Sequence, residues 1–157
     1  MTVLVRTIVY ATLFIGLVLV FLPARVLSAA GVTGPISFGV PQVAGAIVTT
    51  AGAAVATWCI LTLALVGKGT PAPFDPPRRL VARGPYRYVR NPMYLGAALA
   101  LSGAALFYEA GALWAYAMGF LVLMHLLVVW YEEPTLRRSF GADYDAYCRQ
   151  VRRWLPG

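Results

Sequence analysis

The chain has 157 residues, of which 60% are hydrophobic and only 12% charged, at a mean hydropathy of +0.71. An ordinary soluble domain carries about 25% charged residues, so these proportions exclude that class and describe an integral membrane protein. The net charge of +7 comes from basic residues interleaved with apolar runs rather than gathered on one soluble face, which argues against a nucleic-acid partner and makes anionic lipid headgroups the counter-charge.

A spanning helix needs about 20 apolar residues to cross a hydrocarbon core of about 30 Å, and the run from Val3 to Leu22 supplies the first. Arg6 and "SAA" at Ser28 to Ala30 imitate a secretory signal peptide. Pro23 and Arg25 intrude between the run and that cleavage-like site, so the expectation is an uncleaved first span. Gln42 to Val66 is the second span. The connecting loop opens with "GKGTPAPFDPP", whose prolines and glycines forbid a regular helix; a semi-rigid strap is expected there. The next apolar stretch, Met93 to Tyr108, has only 16 residues and would cover roughly 24 Å at about 1.5 Å per residue. Its start is therefore expected in the headgroup layer or in a polar cavity. Glu109, Ala110 and Gly111 then turn the chain into a fourth apolar run, Ala112 to Tyr131, which makes spans three and four a tight helical hairpin.

Past Gly141 an amphipathic helix is expected, with Tyr144, Tyr147, Cys148 and Val151 on one face and Asp145, Arg149, Arg152 and Arg153 largely elsewhere. Such a helix lies on the membrane surface or folds back as a lid. Four spans put the N-terminal tail, the loop from Gly67 to Pro92 and the C-terminal tail on one side, together with twelve of the thirteen basic residues, Arg25 being the other. The bias predicts that these segments are cytoplasmic. Small residues form helical stripes, Gly45, Thr49 and Ala53 in span two and Gly96, Ala100 and Ala104 in span three, spacings that let helix backbones approach closely in lipid. Cys59 and Cys148 fit neither a disulfide framework nor a zinc spacing, and no metal-ligand cluster is visible.

Two polar clusters could carry chemistry. The first is "RGPYRYVRNPMYLG", Arg83 to Gly96. Asn91 is a good N-cap and Pro92 suits the first helical position, which accounts for both structurally. The free N–H groups of a helix start also form an anion site, here flanked by Arg87, Arg90, Tyr86, Tyr88 and Tyr94, although arginines beside a membrane also simply bind headgroups. The second cluster is "HLLVVWYEEPTL", His125 to Leu136. In an α-helix Glu132 falls on nearly the same face as His125, with Val129 between them, while Glu133 points about a third of a turn away and Pro134 discourages continuation. Ionisable groups at membrane depth are functional candidates; pairing with nearby arginines is the equal alternative for the two glutamates, and a hydrogen bond to a neighbouring helix is the alternative for His125.

Taken together, "GPYRYVRNPMYLG", the two-helix hairpin, "EEPTL" and "FGADYDAY" resemble the isoprenylcysteine carboxyl methyltransferase family and its relatives, the membrane phospholipid methyltransferases. The resemblance covers roughly Arg78 to Pro156. With the apolar runs it makes an all-α integral membrane protein of four spans, two N-terminal ones over residues 1–66 and a cofactor-binding half over 67–157, expected in a bacterial inner membrane. It implies S-adenosylmethionine as cofactor, with S-adenosylhomocysteine as product. The cofactor contacts it implies are Leu80, Val81, Tyr86, Arg90, Asn91, Pro92, Met93, Tyr94 and Glu132, the last also catalytic; His125, Val128, Val129 and Tyr144 are implied on the side of a lipophilic substrate, and no metal is implied. The sequence departs from the family pattern in three places. Asn91 and Arg78 stand where histidines are usual, and Val128 stands where the isoprenylcysteine branch has an arginine that holds the substrate. A neutral, amine or thiol acceptor is then as plausible as a prenylcysteine carboxylate. Two rivals share the pattern: a membrane sterol-type reductase, and a non-catalytic scaffold or small-molecule binder.

Overall fold

The computed structural model of the chain describes residues 3–35, 37–70 and 77–156, and among them every regular element is helical, with no strand. Helix α1 joins Val3–Phe14, a π-helical stretch Ile15–Phe21 and Leu22–Ala29. Helix α2 runs over Val40–Thr62 and continues as a π stretch, Leu63–Gly67. A 3₁₀ turn, Gly84–Arg87, precedes α3, Pro92–Phe107. Helix α4 joins Gly111–Leu127, a π stretch Val128–Glu132 and Glu133–Phe140, and α5 is Ala142–Gln150. Three of these helices, Val5–Ala29, Val40–Gly67 and Gly111–Phe140, are long and apolar enough to cross a membrane, and α3 is a shorter apolar helix beside them.

Two helix boundaries differ from the sequence expectation, and the cause is the same. The first span was expected to end at Leu22 and the fourth to be discouraged at Pro134; both helices run on, to Ala29 and Phe140. In each case a π stretch ends two residues before the proline, Phe21 before Pro23 and Glu132 before Pro134. A proline removes a backbone donor and its ring presses on the carbonyl of the preceding turn. Widening that turn to i→i+5 relieves the clash without breaking the helix. In α1 the carbonyl of Val18, five residues before Pro23, accepts the Tyr116 hydroxyl of α4 at 2.8 Å. A carbonyl freed inside an apolar span is thereby satisfied.

Helices α2 and α3 pack antiparallel at close range. A Cβ on Gly45 would meet the backbone of Phe107 and Gly103 at 2.6 and 2.7 Å, and one on Gly96 would meet the backbone of Ala56 and Gly52 at 2.9 Å. Thr49 Oγ1 donates to the Ala100 carbonyl at 3.3 Å. The expected stripes shift by one residue, since Gly52 and Gly103 form the contact where Ala53 and Ala104 were expected. The three-residue steps Thr49 to Gly52 and Ala100 to Gly103 follow the 3.6-residue turn as well as four-residue steps do. At the far end Gln42 is fully buried and satisfied twice, accepting from Gly39 N at 2.9 Å and donating to the Phe107 carbonyl at 3.2 Å.

The hairpin turns at Tyr108 to Ala110, with Glu109 in the left-handed region at φ 50°. Of the expected strap, residues 71–76 lie outside the described residues. Its described ends meet at Gly67, whose carbonyl accepts Arg78 N at 2.9 Å and Arg79 N at 3.2 Å. The C-terminal helix folds back, with Tyr144, Tyr147 and Val151 buried against Leu80, Leu136 and Phe140. Gly141, at φ 52°, makes the turn that allows this.

The α2–α3 contact supplies a test. Gly52→Val forces a branched side chain into backbone and should cost at least the 1–3 kcal/mol typical of overpacking, read as a lowered thermal midpoint in detergent. Gly119→Ala, whose Cβ meets nothing within 4 Å, should leave the midpoint unchanged or slightly raised. Equal midpoints for the two variants would show that the pair is not packed as described.

Candidate functional site

The depth of the site follows from helix lengths. At about 1.5 Å per residue, the 30 residues of α4 measure roughly 45 Å, about 15 Å more than the hydrocarbon core. Its last third therefore projects into the headgroup layer. Trp130 is 74% exposed, and Tyr131, Trp58 and Tyr88 are exposed as well, which fits an aromatic belt at that level. Glu132 and Glu133 come immediately after it. Helix α3 is short because it starts here and not at the far side of the headgroups.

A cleft opens between these ends. Its floor is Leu63 of α2 with Met93 and Tyr94 of α3, one wall is Leu80, Val81 and Tyr86, another is Glu132, Glu133 and Leu136 of α4, and Tyr144 and Tyr147 of α5 close it. Of the nine residues expected to contact a cofactor, Leu80, Val81, Tyr86, Arg90, Asn91, Met93, Tyr94 and Glu132 line this one cleft, and Pro92 is buried at the first position of α3 behind them. Tyr144, expected on the substrate side, lines it too.

The other three substrate-side residues lie elsewhere. Val128 is fully buried in the core between the helices, Val129 is half-buried, and His125 is exposed, its Nδ1 accepting from Trp154 Nε1 at 3.1 Å. Glu132 and His125, expected on nearly the same helix face, therefore do not share the cleft. The reason is the π stretch, whose i→i+5 pattern advances less per residue than the about 100° of an α-helix. Glu132 is rotated away from the face of His125, and Glu133, expected a third of a turn aside, is brought onto the cleft with it.

Electrostatically the two glutamates differ. Glu133, 9% exposed, is gripped by two guanidiniums: Arg153 Nε and Nη2 donate to its two oxygens at 2.7 and 2.9 Å, and Arg90 Nη1 donates at 3.0 Å. Glu132 accepts a hydrogen bond from the Tyr94 hydroxyl, and among the described residues no cation pairs with it. Arg90 also reaches Cys148 Sγ at 2.9 Å, while its Nε is buried without a partner. Asn91 occupies the N-cap position of α3 but does not cap; its Nδ2 donates to the Arg153 carbonyl at 3.3 Å. Since Pro92 has no N–H, the amides of Met93 and Tyr94 are left open at the helix start. Tyr147 donates to the Tyr86 carbonyl at 2.5 Å, and burial raises the phenols of Tyr86, Tyr144 and Tyr147 above their ordinary range, so all three stay neutral.

A cleft of this kind, with a carboxylate that no cation among the described residues pairs and an uncapped helix start among aromatic rings at the membrane boundary, can take a ligand with both cationic and anionic groups. The family model described as phospholipid methyltransferase matches residues 40–143. The chain belongs to the phospholipid methyltransferase family. No curated protein and no solved structure matches it. As a membrane methyltransferase the protein thus has a match that begins at the start of α2 and ends at Asp143, so it takes in every wall of the cleft except the closing face of α5. Sequence reasoning missed Glu133 as a hub, the closing role of Tyr147 and the tail residue Arg153. The proline two residues after Glu132 was the available signal for the first; nothing in the local pattern of the tail announced the others.

The closing contact can be tested directly. Tyr147→Phe removes one buried hydrogen bond, a loss of about 1 kcal/mol, so the amides of α5 should exchange about fivefold faster while those of α2 and α3 keep their protection. Unchanged exchange in α5 would show that this bond does not hold the helix down.

Proposed function

We propose that the cleft binds S-adenosylmethionine and that the protein methylates a lipid presented from the membrane. The observation that carries the reading is that one aromatic cleft brings together Glu132, which has no cationic partner among the described residues, the start of α3, and Arg90, whose Nε is buried without a partner. When bound, the cofactor supplies an electrophilic methyl group on a sulfonium. The donor set fits such a molecule. Glu132 faces its cationic groups, Arg90 with the amides of Met93 and Tyr94 takes its carboxylate, and Tyr86, Tyr144, Leu80 and Val81 receive the adenine.

Methyl transfer asks little acid–base chemistry of the protein. It needs the acceptor held in line with the methyl group and water kept out. Tyr94 fixes the Glu132 carboxylate, and α5 covers the cleft through Tyr144 and Tyr147. A lipid acceptor enters the cleft laterally from the membrane. Val128, buried in the core, offers nothing to an acceptor carboxylate, so a lipid amine or another acceptor without a carboxylate suits the site best. Twelve of thirteen basic residues on one side support a cytoplasmic cleft and cytoplasmic termini.

The test uses purified protein in lipid nanodiscs with methyl-labelled S-adenosylmethionine. Label should pass into the organic extract, and Glu132→Gln, which removes a charged partner worth about 1.5–3 kcal/mol, should weaken cofactor binding about ten- to a hundredfold. No transfer, with Glu132→Gln binding as tightly as the parent protein, would refute the reading.

A further inference from the structure

The last residues of the chain do something that the family match, which ends at residue 143, does not cover. After α5 the backbone becomes extended at Val151, and the tail runs back across the start of α3. The Arg152 carbonyl accepts Arg90 N at 2.9 Å, and the Arg153 carbonyl accepts Asn91 Nδ2 at 3.3 Å. Trp154 then anchors on His125. Between these ties the Arg153 guanidinium meets Glu133 through a two-pronged contact at 2.7 and 2.9 Å. Two parallel N–H···O bonds fix orientation as well as distance.

The charges of the described residues can be counted. Glu133 with Arg90 and Arg153 sums to +1, and Glu132, which lines the same cleft, brings the total to zero. Without the tail the same cleft would hold two carboxylates against one guanidinium, at −1. Glu132 and Glu133 are adjacent in sequence and both line the cleft, so a cationic ligand would meet a doubled negative charge.

We propose that Arg153 is a positioning residue: by cancelling Glu133 it leaves Glu132 as the single effective carboxylate, and so sets how strongly the cleft prefers a cationic ligand to its neutral counterpart. This rests on the cofactor reading above. The natural probes are S-adenosylmethionine, which carries the sulfonium charge, and S-adenosylhomocysteine, which lacks it. The quantity to read is the ratio of their affinities. A purely structural role for the tail would weaken both ligands together and leave the ratio alone.

Calorimetric titration of the detergent-purified full chain gives both affinities. Arg153→Gln should shift the ratio toward S-adenosylmethionine by about ten- to a hundredfold, the size expected of one added charge roughly 6–12 Å away at an effective dielectric near 20. Glu133→Gln should shift it by a similar factor the other way, and the double variant Arg153→Gln with Glu133→Gln should return it to the parent value. Arg153→Lys, which keeps the charge and loses the fork, should hold the ratio while lowering both affinities. If Arg153→Gln does not purify folded, the opposite shift in Glu133→Gln carries the test. A ratio unmoved in every folded variant overturns the inference, whereas a parent protein that binds neither ligand overturns the cofactor reading itself.

Discussion

Three segments far apart in the chain meet at one carboxylate, that of Glu133, and the site depends on their meeting. Arg90 comes from the loop before α3, Glu133 from the end of α4 and Arg153 from the tail. Taking such charges out of water is costly, and the cost is recovered only where geometry is good and the remaining donors are used. Here the two-pronged contact of Arg153, the single contact of Arg90 and the tail's bonds to Arg90 N and Asn91 Nδ2 meet that condition together. The cluster borders the cleft through Arg90 and Glu133. It also leaves the neighbouring Glu132 to Tyr94.

The membrane dictates where such a cluster can form. In hydrocarbon every backbone polar group must be satisfied within the protein, so the deep parts of α2 and α3 are regular and pressed together through glycine. Irregular backbone appears at the end of α2, ahead of Pro134 in the last third of α4, and in α1, where Tyr116 compensates the Val18 carbonyl. The polar cleft sits at the level where α3 begins and α4 leaves the hydrocarbon, the one region where charged side chains and lipid tails are both within reach. A methyltransferase acting on lipids needs that position, with a water-soluble cofactor on one side and an apolar acceptor on the other.

Much of this was legible in the sequence. The four apolar runs, the hairpin at Glu109 and the turn at Gly141 follow from hydropathy and turn chemistry, whereas Leu80, Val81, Tyr86, Asn91 to Tyr94 and Glu132 were singled out through the family resemblance. The phase of α4 was not legible from a uniform 3.6-residue period. Pro134 acts backward on the preceding turn, and the resulting π stretch separates His125 from Glu132 while bringing Glu133 onto the cleft. Asn91 shows a second limit. Its type predicts a cap, yet its amide is used by Arg153, more than 60 residues away, and a long-range partner of that kind leaves no local trace. Helix starts and prolines carry information in sequence; which distant backbone competes for them does not.

The central claim is that the cleft between α3, α4 and α5 holds the methyl donor, with Glu132 and the start of α3 as its two poles. The most direct measurement is an experimental structure of the protein with S-adenosylhomocysteine bound. The account predicts the ligand's charged amino-acid end between Glu132 and the amides of Met93 and Tyr94, and its adenine among Leu80, Val81, Tyr86 and Tyr144. A ligand bound elsewhere, or one in the cleft that touches neither Glu132 nor the first turn of α3, would contradict it.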